Sequence, residues 1–180
     1  MLELKTERLL LRPPIPEDAE RMQRILDDFE VAKNLSRVPH PYPENGAYEY
    51  IERISGNDTA PFDQKFSIID KDGQYCGMTG YGQQGEVPQL GYYLDPLHWG
   101  KGYMTEACRA VIEWMFAVAT PDYIKSGVFE TNAASLAIQT KLGFNEVGRS
   151  HMHCLAQNTD LPHIDTQLKR EAFIAATNAH

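Results

Sequence analysis

No stretch of this sequence approaches the ~18 consecutive apolar residues that a membrane-spanning helix needs, although 42% of its 180 residues are hydrophobic. The opening MLELKTERLLLRP threads charges through its apolar residues and so lacks the unbroken apolar core of a signal peptide. A cytoplasmic location is expected. Cysteine is sparse: Cys76, Cys108 and Cys154 are odd in number and widely spaced. That excludes a disulfide framework and CxxC metal pairs, and it predicts buried, inert thiols in a reducing compartment. Positive charge is also short, with 17 Lys and Arg against 25 Asp and Glu and a formal net charge of −8. Broad electrostatic binding to nucleic acid or to an anionic membrane is therefore not expected. A cationic or amine-bearing partner is compatible with this balance, and so is simple solubility. There is no internal repeat and no low-complexity stretch, and the length suits one domain over 1–180.

What is present is a change of period along the chain. Leu2 to Leu11 alternates and then runs apolar, as a strand does. PPIPEDAERMQRIL stops that strand with prolines and starts a helix, whose Ala19, Met22, Ile25 and Leu26 form one apolar stripe. A Pro-rich loop follows, then a helix near Glu44–Ile54. KFSIID and QYCGMTGYG read as strands joined by a turn at Lys71-Asp72-Gly73, and QLGYYLD as another strand ended by Pro96. Further on, YIKSGVFE, GFNEVGRSHMHC and DTQLKREAF read as strands and NAASLAIQTKL as a helix. A meander of strands followed by strands alternating with helices predicts an α/β (α+β) fold, with a mixed sheet of about seven strands flanked by helices.

The segment PLHWGKGYMTEAC places Gly100 and Gly102 directly before a helix carrying Met104, Ala107, Cys108, Val111, Met115 and Val118 at helical spacing. Glycines there let successive N–H groups converge on an anion at a helix start, although an ordinary strand-to-helix turn can look the same. Two nucleotide motifs are excluded. In a Walker A loop Ser or Thr follows the lysine, whereas Gly102 follows Lys101. A dinucleotide fingerprint would need glycine at Thr105 and a place in an opening βαβ unit.

GYYLDPLHWGKGYMTEA, followed about thirty residues later by TNAASLAIQTKLGF, resembles the Gcn5-related N-acetyltransferase (GNAT) superfamily. The opening LKTERLLLRPPIPEDAERM and the segment VPHPYPENGAYEYI are similar to its RimJ/RimL branch of ribosomal-protein N-acetyltransferases. The resemblance covers nearly the whole chain and is strongest over 90–144. It implies the GNAT fold, a mostly antiparallel sheet splayed between its fourth and fifth strands, and a pyrophosphate of acetyl-CoA as the anion. Trp99, Gly102 and Met104 fall on the first, central and last positions of the superfamily's Q/R-x-x-G-x-G/A loop. Met104 is then a long side chain where Gly or Ala is usual, unless it turns into the core with its apolar stripe. The implied CoA site comprises Tyr93, Leu94, Trp99, Gly100, Lys101, Gly102, Tyr103, Met104, Thr105, Asn132 and Ser135. A bulge in the strand near Tyr92–Leu94 is implied to open the slot for the thioester. Asn132 can equally be a plain helix cap.

The implied chemistry is direct attack of a primary amine on the thioester, with no metal. The tyrosine that many members use as acid is replaced by Gln139, which leaves Ser135 to assist the thiolate. For the base that takes the amine proton, Glu86 is the first candidate, and Glu106, Glu130, His151 and His153 are further ones. His151 and His153 beside Cys154 lack a further ligand set for a metal. Tyr42 and Tyr48 are expected to touch the acceptor, a protein N-terminal amine or a small amine, in a monomer or homodimer. The alternative is an acyl-CoA-binding GNAT module with weak turnover, motivated by Gln139 and Met104. A phosphate-binding structural domain without CoA is a third.

Overall fold

The computed structural model describes residues 2–55, 63–84 and 87–178. The N-terminal apolar run folds as two strands, β1 (Leu4–Lys5) and β2 (Leu9–Arg12), because Thr6 turns the chain by donating its N–H to the Leu9 carbonyl at 3.0 Å. Then come α1 (Ala19–Leu26), the one-turn α2 (Phe29–Ala32) and α3 (Gly46–Ser55). β3 (Lys65–Asp70), β4 (Tyr75–Gln84) and β5 (Val87–Leu94) form the meander, with Gly73 at φ +76° in the β3–β4 turn. α4 (Tyr103–Val118), β6 (Ile124–Phe129), α5 (Ala133–Lys141), β7 (Asn145–Cys154), β8 (Thr159–Leu168) and α6 (Arg170–Asn178) complete the chain.

Eight strands therefore form one sheet in the order β1-β2-β3-β4-β5-β6-β8-β7, antiparallel at every pairing except β5 with β6. The splitting of the first strand raises the expected count and moves the splay to β5 and β6. The last strand also differs from expectation. It begins at Thr159 and stops at Leu168, and REAF belongs to α6, where Phe173 is buried and packs on Phe116 with ring centroids 6.1 Å apart.

Two cores sit on opposite faces of the sheet. On one, α4 buries Met104, Ala107, Cys108, Val111, Ile112 and Met115 against Leu11, Phe66, Ile68 and Tyr81. This helix is apolar on the strand side because its hydrophobic residues recur every three or four positions. On the other, the α1 stripe Ala19, Met22, Ile25 and Leu26 packs with Ala47 and Ile51 of α3 over Ile69, Tyr75 and Met78. All three cysteines are unpaired and buried.

Asp18 ties this second layer to the sheet. It is almost fully buried, accepts two hydrogen bonds of 2.8 Å from the Arg12 guanidinium, and accepts one of 2.7 Å from the Ser67 hydroxyl. Burial alone pushes its carboxyl up; the bonds from Arg12, Ser67 and the Ile15 N–H outweigh that and hold it below the usual range. Ser67→Ala is therefore expected to cost about 2 kcal/mol at pH 7, the worth of a buried bond to a charge. A depressed folded pKa stabilises above the unfolded carboxylate value of about 4 and loses that stabilisation as pH falls through the folded value. Urea unfolding of both proteins between neutral and strongly acid pH checks this: the difference between them narrows as Asp18 protonates.

Candidate active site

β5 and β6 touch at a single pair, Gln89 with Lys125, and then diverge. No bulge in β5 causes this, contrary to the expectation from sequence. The β4–β5 register runs without a shift from Gln84↔Val87 to Gly77↔Leu94. Along its whole length β6 is instead held by β8 through six consecutive pairs, Ile124↔Leu168 to Phe129↔His163. Each half of the sheet keeps its own partners, and the start of α5 lies over the gap, where Ser135 reaches Tyr92 of β5.

The Asp95 N–H donates to the Cys76 carbonyl at 2.8 Å, so the odd-numbered positions of β5 turn their backbone groups toward β4. By alternation Tyr92 and Leu94 present theirs to the gap. The Leu94 carbonyl accepts the Trp99 indole N–H at 2.9 Å, which leaves the Leu94 N–H as the donor at the end of this edge. Tyr93, expected at the cofactor, has its backbone aimed at Met78 and its hydroxyl 2.7 Å from that of Tyr75. Its ring lines the cavity from the α1–α3 face.

The glycine loop has the conformation that its composition requires. Gly100 and Gly102 have φ of +73° and +79°, and Gly102 is the residue that precedes α4. The first helical bond is Glu106 N–H to the Gly102 carbonyl at 3.1 Å, so the N–H groups of Tyr103, Met104 and Thr105 open into the space before the helix. Met104 does not obstruct them: it is 4% exposed and packs in the α4 core. Arg8 clamps the loop by donating to the Lys101 carbonyl at 2.8 Å, lying 4.9 Å above the Tyr103 ring and pairing with Glu106 at 2.7 Å. Glu106 also accepts from the Thr6 hydroxyl and the Arg8 N–H. Burial pushes its carboxyl up, and these bonds more than offset it to leave it below the ordinary range. It is a strut of the loop and is spoken for as a base.

A cavity of about 790 Å³ joins these parts. Trp99, Gly100, Gly102, Tyr103, Met104 and Thr105 line it, and Lys101 does not. Asn132 caps α5 with its side-chain oxygen on the Ser135 N–H at 3.1 Å, which leaves its amide NH2 as a donor at the cavity wall. The Ser135 hydroxyl lies 2.7 Å from the Tyr92 hydroxyl, and burial raises the Tyr92 pKa. Gln139 is fully buried, donating to Ser126 at 2.9 Å and accepting from Thr166 at 2.6 Å. It fastens α5 to β6 and β8.

The remaining sequence candidates are placed elsewhere. Tyr42 packs beneath the first turn of α3, Tyr48 is half exposed, and neither lines the cavity. The far end of the cavity is closed by Glu30, Val31 and Lys33–Ser36 instead, a segment that binds the β7–β8 hairpin through the Leu155 N–H on the Ser36 carbonyl. Glu130 pairs with Arg149, His153 with Asp160, and His151 is exposed on β7. Glu86 lies outside the described residues.

Sequence reading missed Tyr92 as a side chain and missed His163 altogether. His163 is 6% exposed, lines the cavity, and hydrogen-bonds Asp165 through Nδ1 at 2.9 Å. The i, i+2 spacing of His163 and Asp165 on one strand face was the available signal. A group of three possible metal ligands, Asp70, Cys76 and His98, also occurs among the described residues. Asp70 accepts from the Asp72 and Gln74 N–H groups of its turn, and burial pushes the Cys76 thiol up to about 12.

The family described as an acetyltransferase (GNAT) domain matches residues 8–145. The Bacillus subtilis strain 168 protein named "Probable N-acetyltransferase YjcK" is 41% identical over 157 residues, covering 81% of this chain and 84% of that protein. Among solved structures, spermidine N-acetyltransferase from Vibrio cholerae in complex with CoA and spermine superposes with a TM-score of 0.80 at 14% identity, covering 94% of this chain and 99% of that one. The ribosomal-protein-S5-alanine acetyltransferase of Vibrio fischeri does so with a TM-score of 0.81 at 20% identity, covering 96% and 99%.

Proposed function

The chain belongs to the GNAT acetyltransferase family and is an acetyl-CoA-dependent acetyltransferase, and we propose on that premise that it acetylates a primary amine by direct attack, in the manner of the RimJ/RimL branch. The observation that carries this reading is the half-open edge of β5. It diverges from β6 after one pair and ends between the starts of α4 and α5, with polar groups converging from both. The cosubstrate brings a thioester; what the chain adds is position and charge.

In this reading the N–H groups from Gly100 to Thr105 hold the pyrophosphate at the positive end of α4. The gap-facing groups of Tyr92 and Leu94, with the Asn132 amide, hold the pantetheine arm as an added strand would be held. The Leu94 N–H donates to the carbonyl oxygen as negative charge gathers there. The Tyr92–Ser135 hydroxyl pair donates toward the departing sulfur. Trp99 fixes the edge, and Lys101 adds positive charge near the phosphates without touching them. The acceptor enters from the α1–α3 face and is a protein N-terminal amine or a small amine. The net charge of −8 favours a cationic acceptor, and the three unpaired thiols favour the cytoplasm.

The binding-module alternative loses support, because Met104 leaves the loop open and Tyr92 supplies a hydroxyl that Gln139 cannot. The test is release of free thiol from acetyl-CoA in the presence of spermine or of a peptide beginning with alanine. Release with either amine is expected. CoA binding with no release supports the module, and absence of CoA binding overturns both.

A further inference from the structure

The amine must lose a proton as it attacks, and the carboxylates that sequence offers among the described residues are tied into ion pairs. We propose that His163, oriented by Asp165, is the general base of this site; the proposal rests on the acetyl-transfer reading above. His163 lies on β8 opposite Phe129 of β6 and Ser150 of β7, and its ring meets Phe129 edge-on at 5.8 Å. Positions 163 and 165 share a strand face, and so do their partners in register, Phe129 and Gly127. The other face carries Thr166 and Ser126, which Gln139 of α5 holds. His163 is therefore on the face from which the acceptor enters.

Three features give the ring the state and place that a base needs. Nδ1 donates to Asp165 Oδ1 at 2.9 Å, and the same oxygen accepts from the Ser150 hydroxyl at 3.1 Å. An ionised carboxylate can only accept, so the proton stays on Nδ1 and the Nε2 lone pair is free to take another. Nε2 makes no hydrogen bond among the described residues and, unlike Nδ1 of His98, is not a fully buried orphan, although the His163 side chain is only 8% exposed. The ring lines the cavity together with Gly127, over which its Cε1 and Nε2 lie. Room for the ring comes from Gly127, where a Cβ would stand 2.2 Å from Cε1 and 2.8 Å from Nε2 of His163. That glycine is on the β6 wall of the gap, two residues past the point where β6 leaves β5.

In the reaction the amine nitrogen bonds the acetyl carbon and passes its proton to His163 Nε2. The carbon–sulfur bond breaks and the thiolate takes a proton from the Tyr92–Ser135 pair. The imidazolium proton then returns to that pair through solvent, so protons balance and no oxidant or metal is needed. Asp165 is a positioning residue, since it acts through the tautomer and orientation of His163.

The experiment follows thiol release from acetyl-CoA with spermine and with the alanine-initiated peptide. His163→Ala is expected to lower kcat on the order of 100-fold, a usual worth for general-base catalysis, with the Kd for CoA within about threefold of wild type, a margin under one kcal/mol. Added imidazole is expected to restore part of the lost turnover in His163→Ala and to leave wild type unchanged. Asp165→Asn, which can donate to Nδ1 and so invert the tautomer, is expected to lower kcat roughly tenfold or more with CoA affinity retained. Turnover of His163→Ala within about twofold of wild type, far less than a base contributes, overturns the proposal. So does a loss that imidazole does not relieve and that follows a fall in CoA affinity. A wild-type protein that binds CoA and transfers to neither amine overturns the acetyl-transfer reading instead, and the role of His163 with it.

Discussion

Gly102→Glu is expected to bind CoA at least 100-fold more weakly, on the order of the repulsion between two charges at a helix start, while remaining folded. The position carries two separate demands, and a pair of variants separates them. The first is conformational: Gly102 has φ +79°, and any side chain there costs roughly 1–2 kcal/mol. Its Cβ would also stand 3.3 Å from Arg8 Nη2, the arm that clamps the loop, and that arm can give. Gly102→Ala meets this demand alone, so it should lower the melting temperature by a few degrees, about what such a strain produces in a domain of this size. It should weaken CoA by only a few-fold, a fraction of the same strain. The second demand is electrostatic. A carboxylate at 102 sits among the N–H groups that the proposed pyrophosphate uses, and at ~4 Å with an effective dielectric near 20 its repulsion is about 4 kcal/mol per charge pair. Calorimetric titration with CoA, beside thermal melts of the three proteins, measures both. Equal affinities for Gly102→Glu and wild type would remove the phosphate from this loop. Pairing of the new carboxylate with Arg8 would relieve part of the repulsion, but it would draw that arm away from Glu106 and loosen the clamp.

The residues of this site differ in how much of their role is legible in the sequence. Periodicity located the strands KFSIID and YIKSGVFE and the helix NAASLAIQTKL to within two residues, because local alternation and helical spacing there agree with the tertiary packing. It misread REAF, whose few residues fit either period until Phe173 meets Phe116 across the fold. The loop glycines were legible because positive φ restricts composition. The outward aim of Met104 could be doubted from its helical stripe and was decided by the core it enters. The slot was implied by resemblance, but the cause implied with it, a bulge, is not the one found. A bulge is a local device, whereas here β6 leaves β5 because β8 holds it, a partner 34 to 44 residues away in sequence. Glu106 illustrates the same limit: beside a glycine loop it looks like a dipole-favoured carboxylate or a base, and only the hairpin at Thr6–Arg8 makes it a clamp. Tyr42 and Tyr48 were read from amphipathic composition, which cannot tell a ring beneath a helix from a ring in a pocket.

Tyr92→Phe is expected to lower kcat on the order of 100-fold, the usual scale for one proton-transfer group, and to leave CoA affinity within a few-fold. Phenylalanine fills the same space and β5 keeps its edge groups, so what disappears is the hydroxyl 2.7 Å from Ser135. Ser135 alone is a poor acid, and burial makes the Tyr92 phenol a weaker one than usual. Neither is suited to give up a proton unaided. Their short bond changes this: as sulfur becomes negative, the hydroxyl nearer to it donates and is in turn supplied by the other. Charge is then shared along two oxygens in a half-buried site, where such bonds are stronger than in water. Ser135→Ala breaks the same chain and leaves the cap from Asn132 to the Ser135 backbone N–H intact. The two substitutions should therefore be far from additive, because residues that act as one unit fail together. The double variant is expected to be about as slow as the worse single variant, with non-additivity on the order of 1–3 kcal/mol. Independent losses that multiply would mean that the hydroxyls act separately. Unchanged turnover in all three would mean that the thiolate leaves without their help.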